Sequence, residues 1–118
     1  MKTYEGSCHC GAVKFEFRSD DIMEGIYKCN CTLCRKKSIM MKAEHNSRFE
    51  IVAGEDYLLS YKWNKHIAEH FFCKNCGVYT HHKRRRYPDQ IVVNVACLDE
   101  VTVPEDYIFD WADGASHD

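Results

Sequence analysis

Seven of the eight cysteines in this 118-residue chain fall in three tight groups: Cys8/Cys10, Cys29/Cys31/Cys34 and Cys73/Cys76. Thiolates at such spacings bind metal ions or form redox pairs. The stretch CHC, read as an extended strand, aims the thiols of Cys8 and Cys10 at one face, as a clamp with two prongs. CKNCG supplies the complementary pair, because C-x-x-C before glycine suits a tight turn on which two thiolates converge. Cys8, Cys10, Cys73 and Cys76 thus predict a closed set of four sulfurs, which favours Zn²⁺ and also accommodates iron. A closed set leaves no place for substrate, so its expected role is structural.

CNCTLC joins C-x-C to C-x-x-C through Cys31, and three thiolates on one short segment can grip a second Zn²⁺ from one side. Three protein ligands and an open fourth position form the pattern of a catalytic zinc. The alternative is a second closed site, completed by Cys97 or a histidine. Cys97 continues the series Ile91, Val93, Val95 on one strand face, which suits a small core residue. His9 sits between two ligands and is expected to face away from them. His66 and His70 alternate onto one strand face, and His81 and His82 follow the CKNC turn closely enough to approach either metal. For each, a hydrogen-bonded or solvated ring is the simpler expectation. Arg35, Lys36 and Lys37 adjoin the three cysteines, where cations lower thiol pKa values and attract anions. The run Lys83, Arg84, Arg85, Arg86 reads as a solvated loop.

The elements that must carry these groups read mostly as strands. Residues 12–18 (AVKFEFR) alternate, with Val13, Phe15 and Phe17 on one face after a turn at Gly11. Residues 26–30 make a short strand into the three-cysteine group, and residues 31–37 fit one helical turn or a knuckle-like loop. Residues 49–53 (FEIVA) and 57–63 (YLLSYKW) read as strands, and residues 66–72 and 78–82 as a hairpin around CKNC. Residues 90–98 (QIVVNVACL) are apolar on both faces and predict a central strand. No segment carries a long helical period. The expected fold is all-β, or β-rich, and stapled by metal. With two prolines and no Gly/Ser-rich linker, residues 1–118 read as a single domain.

Composition narrows the function classes. Apolar residues make up 45% and charged residues 29%, ordinary for a soluble globular chain. No apolar run is long enough to span a membrane. MKTYEGSCHCG has no apolar stretch of the kind a secretory signal carries, so the expected location is cytoplasmic. Thiols stay reduced there, which argues against a disulfide framework. A thioredoxin-like role for CKNC would call for a βαβ setting that this chain lacks. The formal charge of −2 would become about −5 with two Zn²⁺ on seven thiolates. That does not suit a general nucleic-acid binder, which carries a basic face.

The ordered motifs GSCHCGAVKFE, CNCTLCRK, FFCKNCGVY and VNVACLD resemble the glutathione-dependent formaldehyde-activating enzyme family, which includes centromere protein V. The resemblance runs from about Tyr4 to Asp110. It implies an Mss4-like fold of zinc-held β-sheets, a structural zinc on Cys8, Cys10, Cys73 and Cys76, and a catalytic zinc on Cys29, Cys31 and Cys34. The middle motif departs from the family's common C-H-C-S-x-C-R, with Asn30 for the histidine and Thr32 for the serine. Lys37–Ser38 stands where a small Ser/Thr-Gly pair often follows, and the chain is shorter than the enzyme that names the family. These differences leave the metal ligands intact and bear on the substrate.

The activity the resemblance implies is a carbon–sulfur lyase reaction run in reverse, in which glutathione and formaldehyde combine to S-(hydroxymethyl)glutathione. Zinc with an open position can hold a thiol sulfur as thiolate near neutral pH. Formaldehyde then needs only to be placed beside that sulfur. Three cysteinate ligands weaken the metal as a Lewis acid, which favours a thiol carrier over a metal-hydroxide hydrolase. Glutathione is a net anion, so either basic run could meet its carboxylates, and no general base is legible. The alternative is a non-enzymatic zinc-binding module for protein or nucleic-acid interaction, as the centromere protein V branch suggests. A different thiol or aldehyde on the same chemistry is a further reading.

Overall fold

The computed structural model describes residues 1–63 and 68–117. The smaller of its two sheets is antiparallel, with β2 (Lys14–Ser19) between β1 (Lys2–Ser7) and β5 (Phe49–Ala53). The alternation in KFEFRS is realised: Phe15, Phe17 and Ser19 are buried while Lys14 and Arg18 are exposed. The larger sheet has seven strands. From one edge these are β10 (Asp110–Ala112), β3 (Tyr27–Cys29), β4 (Met41–His45), β9 (Gln90–Asn94), β8 (Tyr79–Lys83), β7 (Glu69–Cys73) and β6 (Leu58–Tyr61). Neighbours are antiparallel except β10, which lies parallel to β3. β9 occupies the middle with Ile91, Val92 and Val93 all buried, as an apolar run predicts for a strand covered on both faces.

One core cluster joins the sheets: Phe15 and Phe17 from β2 pack with Val93 of β9 and with Ile22, Ile26, Val95 and Leu98. A chain of rings extends it, from Phe15 to Phe49 (centroids 5.2 Å apart) and on to His81 of β8 (4.6 Å). A polar link runs beside it. Ser19 donates to Glu44 at 2.7 Å, and the same carboxylate accepts from Arg48 at 2.6 Å.

The expected strand over 90–98 stops at Asn94. The Asn94 side chain accepts from the Ala96 N–H at 3.2 Å and caps a 3-10 turn, Val95–Cys97. Cys97 is buried because this turn carries it into the core, not because a strand phase continues to it. Residues 31–37 form a short helix, α1 (Thr32–Lys37), one of the two expected outcomes. The start of the expected 66–72 strand, His66 included, lies outside the described residues. No helix among the described residues is long and apolar enough to cross a membrane.

Candidate functional site

The four sulfurs of Cys8, Cys10, Cys73 and Cys76 lie within 4.8 Å of one another. Cys8 and Cys10 are separated by 3.6 Å and Cys10 and Cys73 by 3.7 Å. Four sulfurs placed tetrahedrally at roughly 2.3 Å from a metal sit about 3.8 Å apart, so the donor set fits such an ion. The same spacing is far too long for an S–S bond of about 2.05 Å, and every cysteine is a free thiol.

CHC is not part of a strand, contrary to the expectation from alternation; it forms a turn between β1 and β2. The Cys8 N–H donates to the Val13 carbonyl at 3.1 Å and the Gly11 N–H to the Cys8 carbonyl at 3.2 Å, with Gly11 at φ 79°. The turn between β7 and β8 repeats the pattern. There the Cys73 N–H donates to Val78 at 3.1 Å and the Gly77 N–H to Cys73 at 2.8 Å, with Gly77 at φ 78°. Left-handed backbone is where glycine is favoured. The physical reason for turns is that a strand would commit every N–H group to its ladder, whereas a turn leaves one free to point at sulfur. The Val13 N–H donates to Cys8 at 3.3 Å. Burial works against ionisation of Cys76, but the N–H groups of Cys10 and Val78 and the thiols nearby bring it down to about 6. The Asn75 side chain, followed by the Ala12 N–H, lowers Cys10, while burial pushes Cys8 up to about 11. Such N–H bonds stabilise the thiolate form a metal requires.

The second group is built on one short segment. Cys29 ends β3, Cys31 caps α1, and Cys34 sits inside the helix, with the Cys34 N–H donating to the Cys31 sulfur at 3.3 Å. Ser38 ends the helix in the left-handed region at φ 55° and returns its N–H to the Cys34 carbonyl at 2.8 Å. The three sulfurs lie within 4.8 Å of one another, and no fourth His, Cys, Asp or Glu donor joins them among the described residues. A hydrogen bond from the Cys34 thiol holds Cys29 down to about 5 against the opposing effect of burial, with the N–H groups of Cys31 and Gly114 adding to it. That bond and burial push Cys34 strongly upward, and burial raises Cys31. Of the three thiols, Cys29 is the one whose surroundings favour the thiolate form.

Among the described residues, neither alternative fourth ligand is in place. The Cys97 thiol donates to the Tyr79 carbonyl at 3.4 Å, and burial pushes it up to about 12. His70 and His82 share the Tyr79 hydroxyl, at 2.7 and 2.6 Å. His81 stacks on Phe71 with centroids 4.5 Å apart and bonds Thr80 at 2.8 Å. Burial lowers all three, His70 to about 4 and His81 to about 3. His9 is exposed, as expected.

Around the three thiols the wall is apolar: Ile39, Met41, Tyr79 and Val92 are buried, with Leu33 and Trp63 packed against them. Two tyrosines that no motif singled out take part. Burial pushes Tyr27 up to about 12, Arg84 opposes that, and Cys34 and Cys29 add to it. Burial also raises Tyr79, with Cys34 the next cause. The only sequence signal was proximity, since Tyr27 and Cys29 share β3. Two cations are pinned here by aromatic rings. The Lys37 ammonium lies 5.6 Å from the Tyr79 ring centre, and the Arg84 guanidinium lies 5.7 Å from that of Tyr27. Arg84 also donates to Gln90 at 2.7 Å, so the expected solvated loop is only partly that. Arg35 and Lys36 are exposed.

Comparison with known proteins agrees with this architecture. A crystal structure of a Rhodobacter sphaeroides protein is similar at a TM-score of 0.86 and 34% identity, over 92% of this chain and 99% of that one. The strand-rich, two-sheet arrangement is the Mss4-like fold. Residues 3–111 match the family model described as glutathione-dependent formaldehyde-activating enzyme, a span that takes in all seven clustered cysteines. On that match, the chain belongs to the glutathione-dependent formaldehyde-activating enzyme family.

Proposed function

We propose that this chain is a zinc-dependent enzyme of the carbon–sulfur lyase type, acting on the adduct of glutathione, or a similar small thiol, with formaldehyde. The observation that carries the reading is the contrast between the two sulfur clusters. Cys8, Cys10, Cys73 and Cys76 bring four sulfurs together, enough for a closed site, whereas Cys29, Cys31 and Cys34 stand without a fourth donor among the described residues. The first would be structural and the second the working site. A Zn²⁺ on the three thiolates would supply a position where an incoming thiol is held as thiolate near neutral pH.

The rest falls to the chain's own residues. The N–H groups directed at Cys29 favour its thiolate form, while ionisation of Cys31 and Cys34, both raised, would have to come from the metal's own charge. Ile39, Met41 and Trp63 keep water away on one side, which strengthens electrostatic contacts with a bound anion. Lys37 and Arg84, held on aromatic rings, are the cations placed to meet substrate carboxylates. In the addition, the sulfur forms a bond to the aldehyde carbon, and the proton of the thiol ends on the former carbonyl oxygen. The reverse breaks the same C–S bond, so the main task is positioning. A reducing, cytoplasmic setting suits seven metal-binding thiols.

The test is a titration of glutathione into the zinc-loaded protein, with the metal's ligand shell followed by X-ray absorption. Gain of a fourth sulfur at a site with three is the expected result. An unchanged shell at saturating thiol would sink the thiol-carrier reading and leave a non-enzymatic zinc module in its place.

A further inference from the structure

Asn30 stands between two of the three clustered thiols, and the structure gives it a task. Beyond β3 the chain's partner is residues 110–117, where β10 runs parallel with Ala112 opposite Cys29. The Asn30 N–H donates to the Ala112 carbonyl at 3.1 Å. The Asn30 side chain then holds the continuing segment from both sides. Its amide donates to Asp113 at 3.1 Å, and its carbonyl accepts from the Ala115 N–H at 2.8 Å. The Ser116 hydroxyl closes the loop onto the other Asp113 oxygen.

Gly114 is the residue framed by these bonds, and it lies against the sulfur cluster. A Cβ at this position would stand 2.5 Å from the Cys29 sulfur and 2.8 Å from the Cys31 Cβ, closer than any side chain can come. The close approach sets the Gly114 backbone directly against the Cys29 sulfur. Backbone packed against a ligating sulfur fixes its orientation, and outer partners of a metal ligand shift metal affinity by about 10–100-fold.

We infer that Asn30 and Gly114 are positioning residues of the three-thiol centre: Asn30 docks the 113–115 turn, and the docked turn sets the Cys29 sulfur through the close approach of the Gly114 backbone. The centre is therefore not contained in CNCTLC alone but is completed by a segment about eighty residues later, bound through Asn30. The inference rests on the reading of this cluster as a metal site.

The test is competition for Zn²⁺ with a chromogenic chelator, using wild type, Asn30→Ala and Gly114→Ala. A Cys31→Ser reference identifies the release phase of the four-thiol centre. Asn30→Ala and Gly114→Ala should each weaken only the second phase, by about 10–100-fold. The pair Asn30→Asp with Asp113→Asn exchanges the donor and acceptor ends of one bond while keeping the acceptor for Ala115. It should recover most of the loss. The Asn30 side chain is exposed, so its removal keeps the test readable even if Gly114→Ala does not fold. Equal weakening of both phases, or no recovery in the exchanged pair, would overturn the positioning role. Two bound equivalents with affinities unchanged in Asn30→Ala would overturn it while sparing the metal site. A single equivalent on the wild type would remove the metal site itself, and this inference with it.

Discussion

His70 and His82 face each other across the β7–β8 pairing with ring centres 5.0 Å apart, and both bring Nδ1 to the same Tyr79 hydroxyl. A hydroxyl has one proton to give, so it can donate to only one of them. The other must donate its own Nδ1–H to the tyrosine oxygen. The two neutral rings therefore hold opposite tautomers, one Nδ1–H and one Nε2–H. Nitrogen-15 chemical shifts of the imidazoles should show one of each. Two identical tautomers would contradict the shared bond. Tyr79→Phe should destabilise the fold by about 1–3 kcal/mol, because it strands two buried ring nitrogens.

The depressed histidines set the acid side of the stability profile. Burial, then Lys37, lowers His70 to about 4, and burial, then Lys83, lowers His81 to about 3. In the unfolded chain each titrates near 6.5. Above that value neither state is protonated, and the full stability is present. As pH falls below about 6.5 the unfolded chain takes up protons first, so stability drops by about 1.4 kcal/mol per unit for each ring until the folded pKa is passed. His81→Phe keeps a ring between Phe71 and Phe49 and removes one such proton. Denaturant melts between pH 6.5 and 4 should show its slope shallower by about one proton than wild type. Comparing the two cancels acid release of metal, and parallel profiles would refute the assignment.

Cys73→Ser is expected to fail as a fold. The four-thiol set ties a turn between β1 and β2 of the smaller sheet to one between β7 and β8 of the larger. Closing so long a loop is where a metal contributes most, and structural zinc can supply roughly 10 kcal/mol. The protein should lose one metal equivalent and its cooperative thermal transition. A stable Cys73→Ser protein holding two equivalents would rule out a structural role.

Cys31→Ser is expected to behave differently, since Cys29, Cys31 and Cys34 span six residues and close no long loop. Metal analysis should find one equivalent instead of two, with circular dichroism close to wild type and no turnover of thiol and aldehyde. Collapse of the fold would instead make the second centre structural.

Ser38 carries a smaller expectation. It is the one non-glycine residue with positive φ among those described, and it ends the helix that carries Cys34. Ser38→Gly relieves a left-handed cost of roughly 1–2 kcal/mol and adds back roughly 0.5–1 in chain entropy. Thermal melts should show a net gain of about 0.5–1 kcal/mol. A loss would mean that the hydroxyl matters more than the backbone.

What was legible in the sequence was what short range determines. Spacing alone grouped the seven thiols correctly, because ligands that share an ion must sit on turns of characteristic length. Strong alternation exposed β2, and a run of buried β-branched residues exposed β9 as central. β1 and β4 stayed hidden, since KTYEGS and MKAEH carry too few apolar residues; β1 owes its form to the hairpin with β2, and β4 to β9, distant in the chain. CHC was misread as strand because period two and a tight turn both bring i and i+2 together. Tyr79 and Gly114 could not be found at all, because their roles arise from contacts between distant segments, and Tyr27 offered only its proximity to Cys29.

The placement of the two sulfur clusters also imposes an order of events on a chain emerging from the ribosome. Cys29, Cys31 and Cys34 are all in hand once residue 34 is made, whereas the four-thiol set must wait for Cys76. Throughout that interval Cys8 and Cys10 form only half a site, and the Ser19–Glu44 link is the kind of contact left to hold the smaller sheet to the larger. Cys8 and Cys10 thus stay idle until Cys76 is made, and a metal held by the four thiols would be captured late.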